Sequence, residues 1–249
     1  MNRHFSPPFS ALADYQLQLS DKGFALLDGS SVTQALAASD GELAELHQAW
    51  QRLPADPHLR DGGRYRRRRH GSFIVDDQQV ETVPHRPHWQ PLEYNALHGG
   101  MERWFDPIET ETLAHPAWNR LLLWLGEVAS ELREPQPWYV EAHPFRIDTT
   151  DGIGRPTPEG AHRDGVDLVA VLVLERQAIK GGESRVFAAD GPAGQRFTLD
   201  EPWSLMLLDD ARVIHETTPI QPVEPGHLGW RDTLVLTYRS QGFQQNASN

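Results

Sequence analysis

"DLVAVLVLERQAIKGGESRVFAADGPAGQRFTLDEPWSLMLLDDARVIHETTPI", residues 167–220, is the stretch that decides the fold class. It holds the short strand-like runs DLVAVLVLE, ESRVFAA, QRFTL, WSLMLLDD and RVIHETTPI, and the turn-forming KGGE and DGPAGQ cut between them. No helix-length periodic segment separates the runs. Many short strands joined by Gly- and Pro-bearing turns predict an antiparallel sandwich or barrel rather than alternating βαβ units. The texture continues outward, with WYVEAHPFRI and TTDGIG before the stretch and VEPGHLG and DTLVLTYR after it.

Further upstream the period changes. SVTQALAASDGELAELHQAWQRLP spaces Leu36, Leu43, Leu46 and Trp50 as a helix would and stops at Pro54. HPAWNRLLLWLGEVASELRE opens a second helix with Pro116 and ends before Pro135. Between them lie the arginine-dense RDGGRYRRRRHGSFIVD and the segment VPHRPHWQPLEYNALHGGMERWFDPI, which reads as ordered loop because its aromatic side chains have to pack. No flexible linker divides the chain. The expectation is one domain over residues 1–249, mainly β with flanking α-helices, in which a helical and irregular part (1–137) packs on a jelly-roll core (138–242).

Composition narrows the chemistry. The 249 residues contain no cysteine, which excludes disulfides, thiolate metal sites and thiol nucleophiles, so a metal must be held by His, Asp or Glu. Lys+Arg 23 against Asp+Glu 35 leaves a net charge of −12, so neither nucleic acid nor an anionic membrane is an expected partner. Lys22 and Lys180 are the only lysines; the remaining positive charge is arginine, whose planar fork suits carboxylates, although a GC-rich genome produces the same bias. No apolar segment reaches the length of a membrane span and no signal peptide is visible at MNRHFSPPFS, which predicts a cytoplasmic, bacterial protein.

At the mouth of the deciding stretch stands EGAHRDG. Of the 12 histidines only His162 is followed by an aspartate two positions on. Positions i and i+2 of an extended segment share a face, so His162 and Asp164 can aim an imidazole and a carboxylate at one point. An ordinary Asp–Gly turn explains Asp164 equally well. His215, inside RVIHETTPI, can add a third ligand, although a lone strand histidine is more often a satisfied core residue. Two histidines and a carboxylate on one face match the facial triad of non-haem Fe(II) oxygenases. Downstream, Arg231 opens the last strand with Thr233 on the same face, a pairing able to hold a carboxylate by a fork and one further hydrogen bond.

This ordered set, His-x-Asp, a distal His, then Arg-x-Thr on the final strand, resembles the Fe(II)/2-oxoglutarate-dependent dioxygenases. The wording HRDG…KGGES…LLDD…VIH…GWRDTLVLTYR is similar to a bacterial subfamily of free L-amino-acid hydroxylases, such as L-isoleucine 4-hydroxylase, and biofilm stress-resistance proteins. The resemblance implies a double-stranded β-helix core, Fe(II) held by His162, Asp164 and His215, and 2-oxoglutarate bound through Arg231 with Thr233 assisting. It further implies O2 as co-substrate, release of succinate and CO2, and hydroxylation of a small molecule such as a free amino acid. Related halogenases carry a small residue where Asp164 stands, which favours hydroxylation. Two other readings stay open: a non-oxidative metal-binding barrel of cupin type, for which the expected HxH clusters are absent, and a non-catalytic module with a stress or biofilm role, docking through its basic run.

Residues for the substrate are harder to place. In RYRRRRH an extended backbone sends Arg66, Arg68 and His70 to one face and Arg67 and Arg69 to the other. The run reads either as a solvated edge or as a source of inward arginines for a substrate carboxylate, with Arg66 and Arg68 as candidates. Arg146 is a candidate pocket wall or one half of a structural ion pair, and His143 is a rival metal ligand. Tyr94, in YNALHGG, is a candidate substrate contact on a segment that reads as a turn or a lid. Arg239 competes with Arg231 for the co-substrate. Oligomeric state stays open, with a homodimer as the candidate.

Overall fold

Ten residues of β6 (Leu168–Gln177) carry the two halves of the core on their two faces. Leu168, Ala170, Leu172 and Leu174 join a cluster with the helices, while Val169, Val171 and Val173 face a second cluster between the sheets. Both faces are apolar because both are covered, which is why the run lacks the polar alternation of a half-exposed strand.

The computed structural model describes residues 5–246; residues 1–4 and 247–249, which the one-domain expectation includes, lie outside the described residues. The elements run α1 (Tyr15–Lys22), β1 (Phe24–Leu27), α2 (Gly29–Ala35), α3 (Asp40–His47), a 3-10 turn (Gln48–Arg52), β2 (Arg66–Arg68), β3 (Gly71–Asp76) and β4 (Gln79–Thr82). After α4 (Thr110–Leu113) and α5 (Pro116–Leu132) come β5 (Trp138–Asp148), β6, β7 (Ile179–Gly181), β8 (Ser184–Ala188), β9 (Gly194–Phe197) and β10 (Ser204–Asp209). The last are β11 (Val213–Thr217), β12 (Ile220–Pro222) and β13 (Trp230–Arg239). The major sheet orders β1-β10-β6-β13-β5-β3-β4, with β2 also on β5; β11-β8-β9 form a minor sheet and β12-β7 a two-stranded ribbon. All pairings between these strands are antiparallel, and the core is the expected jelly roll.

Two sequence expectations need correction. The periodic run from Ser31 to Pro54 is not one helix. Ala37 adopts a left-handed φ of 45°, and Ser39 with Glu42 forms a capping box that starts α3 afresh. The part before residue 138 is also more than helical and irregular, because β1 to β4 add strands to the major sheet. β1 is a four-residue run buried throughout, and β2 is built of arginines, so neither carries an apolar alternation. The helices α1, α3 and α5 cover the outer face, with Trp50, Trp118, Trp138 and Tyr238 buried against one another's cluster. The inner face of β5, β13 and β6 looks towards the minor sheet, and the cavity lies there.

Candidate metal centre and substrate cavity

His162, outside the regular strands, forms an antiparallel bridge with His215 of β11: His162 N–H donates to His215 O and His215 N–H to His162 O, both at 3.0 Å. Residues directly opposite in such a pair project to the same side, which is how two segments far apart in sequence place their imidazoles together. The ring centroids are 4.6 Å apart. Asp164 completes the group, with Oδ1 3.8 Å from His162 Nε2 and Oδ2 3.8 Å from His215 Nε2. The three residues share one candidate metal position, of which the two-residue spacing predicts the His162–Asp164 half.

The carboxylates around the two imidazoles favour a cation. His162 Nδ1 donates to the Gly160 carbonyl at 2.9 Å, which turns Nε2 towards Asp164. Burial lowers the His162 pKa, but the Asp164 and Glu159 carboxylates outweigh it and raise the value overall. Burial, followed by repulsion from His162, holds His215 well below the usual histidine range, so it stays neutral. Two imidazole nitrogens and one carboxylate are the donor set for Fe(II) with open positions, and a cation there takes the place of the proton that the carboxylates favour on His162.

Asp164 is held from behind by Asp210, the last residue of the quoted LLDD, to which the sequence reading gave no role. The fully buried Asp210 carboxylate accepts the backbone N–H groups of Asp164 (3.0 Å), Gly165 (2.7 Å) and Val166 (3.1 Å). Burial, followed by the neighbouring Asp164 charge, pushes Asp210 up to about 6 against the pull of those donors. Gln90 adds a second restraint by donating Nε2 to Asp164 Oδ1 at 3.1 Å. Partners of this kind tune ligand orientation, so Asp210→Ala is expected to weaken Fe(II) binding about 10- to 100-fold, as read by metal titration. Unchanged affinity in a folded variant would assign Asp210 a purely structural role.

The cavity of about 120 Å³ beside the triad is floored by alternate residues of β5 and β13. Across the two strands Ile147 faces Arg231, Phe145 faces Thr233, His143 faces Val235 and Glu141 faces Thr237. Arg231 is 3% exposed and its Nε has no hydrogen-bond partner. Burial, then repulsion from Arg176, brings its pKa down to about 9. Arg231 and Thr233 share the cavity with the triad, as their spacing predicts. Arg239 does not compete, because its guanidinium donates to the carbonyls of Gln241 and Gly242.

The arginine run alternates as expected, and its inward face is the 66/68/70 set: Arg66, Arg68 and His70 are buried, and Arg66 and Arg68 line the cavity. Arg66 Nε donates to Asp56 Oδ2 at 2.7 Å. Arg68 lies over the Phe105 and Phe145 rings, 3.7 and 4.4 Å from their centroids, and donates Nη2 to His143 Nδ1 at 2.6 Å. That bond turns His143 away from the triad, and its ring atoms converge instead with those of His70, His88 and Glu141. A neutral imidazole that accepts at Nδ1 carries its proton at Nε2 and has no second lone pair. His143 therefore sits in a buried network with His70 and His88, both bonded to Glu141 at 3.1 Å. Burial raises the Glu141 carboxyl, but His88 and His70 outweigh it and hold it well below its usual range.

Arg146 and Tyr94 are corrections. Arg146 occupies the opposite strand parity from Phe145 and Ile147, so it points to the helix side. There it makes a two-pronged bond to the buried Asp232, at 2.7 and 2.6 Å. Tyr94 is absent from the cavity wall and packs on Gly165, where a Cβ would come within 2.3 Å of its ring. Its segment is a turn, tied by Gly99 N to Asn95 O at 2.7 Å and Gly100 N to Gln90 O at 2.8 Å. The residues not anticipated are Glu159, Gln90, Arg103 and Asp210. Glu159 stood in the quoted EGAHRDG three positions before His162; the others lie in aperiodic loops or at a strand end, with no spacing signal.

Known proteins fit this geometry. A profile of the 2OG-Fe dioxygenase family matches residues 47–237. A crystal structure of a bsmA homologue from Methylobium petroleophilum PM1 is 52% identical, covers 98% of this chain and 99% of that chain, and superposes with a TM-score of 0.91. The structure of IDO from Bacillus thuringiensis (18% identity, 93% of this chain and 100% of that chain, TM-score 0.75) shares the fold. So does the Fe(II)/α-ketoglutarate-dependent dioxygenase TqaL (19% identity, 95% and 92%, TM-score 0.73). A search of curated proteins returned no match. Among the described residues no helix is long and apolar enough to cross a membrane. The family sets aside the cupin-type and non-catalytic readings: the chain belongs to the 2OG-Fe dioxygenases, enzymes that use Fe(II) and 2-oxoglutarate.

Proposed function

We propose that this enzyme hydroxylates a free L-amino acid, with His162, Asp164 and His215 holding Fe(II) and Arg231 and Thr233 holding the far carboxylate of 2-oxoglutarate. The bound iron supplies the oxidising chemistry in which O2 and 2-oxoglutarate yield succinate, CO2 and a hydroxylated C–H position. The protein's own part is placement and exclusion of water. Arg231 fixes one end of the co-substrate by a charge-assisted fork on a rigid strand, and the Thr233 hydroxyl adds a donor on the same face.

The observation that carries the amino-acid reading is a pair of unmatched groups in the triad's own cavity. Arg68 is buried with no carboxylate within ion-pair distance among the described residues, and its Nε lacks a partner. Glu159, 3.6 Å from His162 Nε2, has a buried Oε2 that accepts nothing. A buried unpaired guanidinium and a buried idle carboxylate oxygen are both costly, and an α-carboxylate with its ammonium relieves both. Val166, Val171, Met206 and Val235 supply apolar walls for a side chain. The 52%-identical relative from Methylobium petroleophilum supports a bacterial setting, and dependence on a metabolic co-substrate supports a cytoplasmic one.

The test is a screen of L-amino acids with Fe(II), 2-oxoglutarate and O2, reading succinate and a product heavier by one oxygen atom. At least one amino acid is expected to drive succinate release with matching hydroxylated product, and its N-acetyl and C-amide derivatives are expected to fail. Arg68→Leu is expected to weaken that substrate by roughly 30-fold or more, the cost of an unmatched buried charge. Equal turnover of the blocked derivatives would end the amino-acid reading.

A further inference from the structure

Arg68 is not alone in the cavity wall. Arg103 also lines it, is 2% exposed, and its one named partner is the Gln90 side-chain oxygen, which accepts from Nη2 at 3.0 Å. No carboxylate lies within ion-pair distance of Arg103 among the described residues, and its Nε is unpartnered. Arg66 keeps a third idle donor, Nη2, behind its bond to Asp56. The three guanidiniums converge around two rings: Arg66 and Arg68 over Phe145 (5.9 and 4.4 Å), Arg68 and Arg103 over Phe105 (3.7 and 6.0 Å). Burial, then repulsion from Arg66, depresses Arg103 to about 10 against the pull of Asp56, Glu159 and Glu141.

The three guanidiniums share one buried carboxylate, Asp56, bonded to Arg66 at 2.7 Å, and crowding three like charges around it in a dry site is unfavourable unless a further anion joins them. Arg231 is reserved for the co-substrate by the reading above, and one substrate carboxylate matches Arg68. The charge on Arg103, with the spare donor of Arg66, is left over. We propose that Arg103 and Arg66 form a second anion subsite, so that the substrate is an amino acid with an acidic side chain. This rests on the proposed amino-acid hydroxylase function and narrows it. Arg103 thereby becomes the specificity-determining residue, holding the distal carboxylate while Arg68 holds the α-carboxylate and Glu159 the ammonium. Gln90, which accepts from Arg103 and donates to Asp164, ties that subsite to the metal ligand.

The test uses the full chain loaded with Fe(II) and 2-oxoglutarate under anaerobic conditions. Calorimetry compares L-aspartate, L-glutamate and L-2-aminoadipate with L-asparagine, L-glutamine and L-leucine, which have no side-chain charge. An acidic amino acid is expected to bind at least 10-fold more tightly than its amide or apolar counterpart. In Arg103→Gln this preference is expected to vanish, and in Arg103→Lys to survive in part, with 2-oxoglutarate affinity as the check that the cavity is intact. An amide that binds as well as its acid in the unmodified protein, or a preference that persists in Arg103→Gln, overturns the proposal. Parallel succinate assays separate the two claims. Tight acidic binding without turnover of any amino acid keeps the subsite and removes the hydroxylase reading. Turnover best with leucine-like side chains keeps that reading and removes the subsite.

Discussion

Replacing His215 with alanine is expected to reduce Fe(II) binding beyond the roughly 100-fold loss typical of outer partners and to leave succinate formation at background. The variant removes one of three donor groups and leaves a carboxylate and one imidazole, too few to hold the ion against water. The fold is expected to survive, because the strand is secured by backbone bonds that alanine keeps, including the reciprocal 3.0 Å pair with His162. The deleted ring also carries a buried Nδ1 without a partner, so its loss removes an unsatisfied group rather than a satisfied one. Metal content of the purified protein, anaerobic Fe(II) titration and thermal unfolding give the three readings. A folded His215→Ala protein that retains stoichiometric iron would mean that the metal sits elsewhere, and the assignments of His162 and Asp164 would fall with it.

Arg231→Leu is expected to raise the dissociation constant for 2-oxoglutarate by about 30- to 4,000-fold, corresponding to about 2–5 kcal/mol for removing one side of a buried, hydrogen-bonded charge pair. Iron binding is expected to stay near normal, since a guanidinium has no lone pair to offer a metal and the three donor residues are left in place. The sign for the ligand-free protein is opposite to the usual one for a core substitution. Among the described residues Arg231 is buried without an ion partner and with an idle Nε, so leucine is expected to leave the apo protein at least as stable while stripping it of co-substrate. Arg231→Lys keeps the charge but loses the fork, and is expected to fall between the two. Normal 2-oxoglutarate binding by the leucine variant would move the co-substrate to another arginine, with Arg68 and Arg103 the remaining acid-free guanidiniums in the cavity.

The depth to which the amino-acid order could be read follows from where each signal comes from. The antiparallel core, the helix at Pro116, the His162–Asp164 pair and the Arg231–Thr233 pair were all legible, because each depends on a two-residue or helical period imposed by backbone geometry over a few neighbours. The same period also separated Arg66, Arg68 and His70 from Arg67 and Arg69, but it could not say which set turns inward. Arg146 shows the limit most plainly. Its strand is covered on both sides, so local pattern leaves the parity unassigned; only the pairing of β5 with β13 and the helices behind them put Asp232 beside it and the cavity on the other face.

What the chain order determined by itself was therefore the type of ligand available and the short-range faces: no cysteine, two histidines and an aspartate suited to iron, and an arginine with a hydroxyl for a carboxylate. What tertiary packing alone decided was convergence. Glu159, Gln90, Arg103 and Asp210 come from loops and a strand end with no repeat, and they acquire meaning from which charges they meet and which they fail to meet. A covalent chain dictates the direction of a side chain relative to its near neighbours. The balance of buried charge in a cavity is a sum over segments far apart along the chain, and only the packed sheet brings those segments within reach of one another.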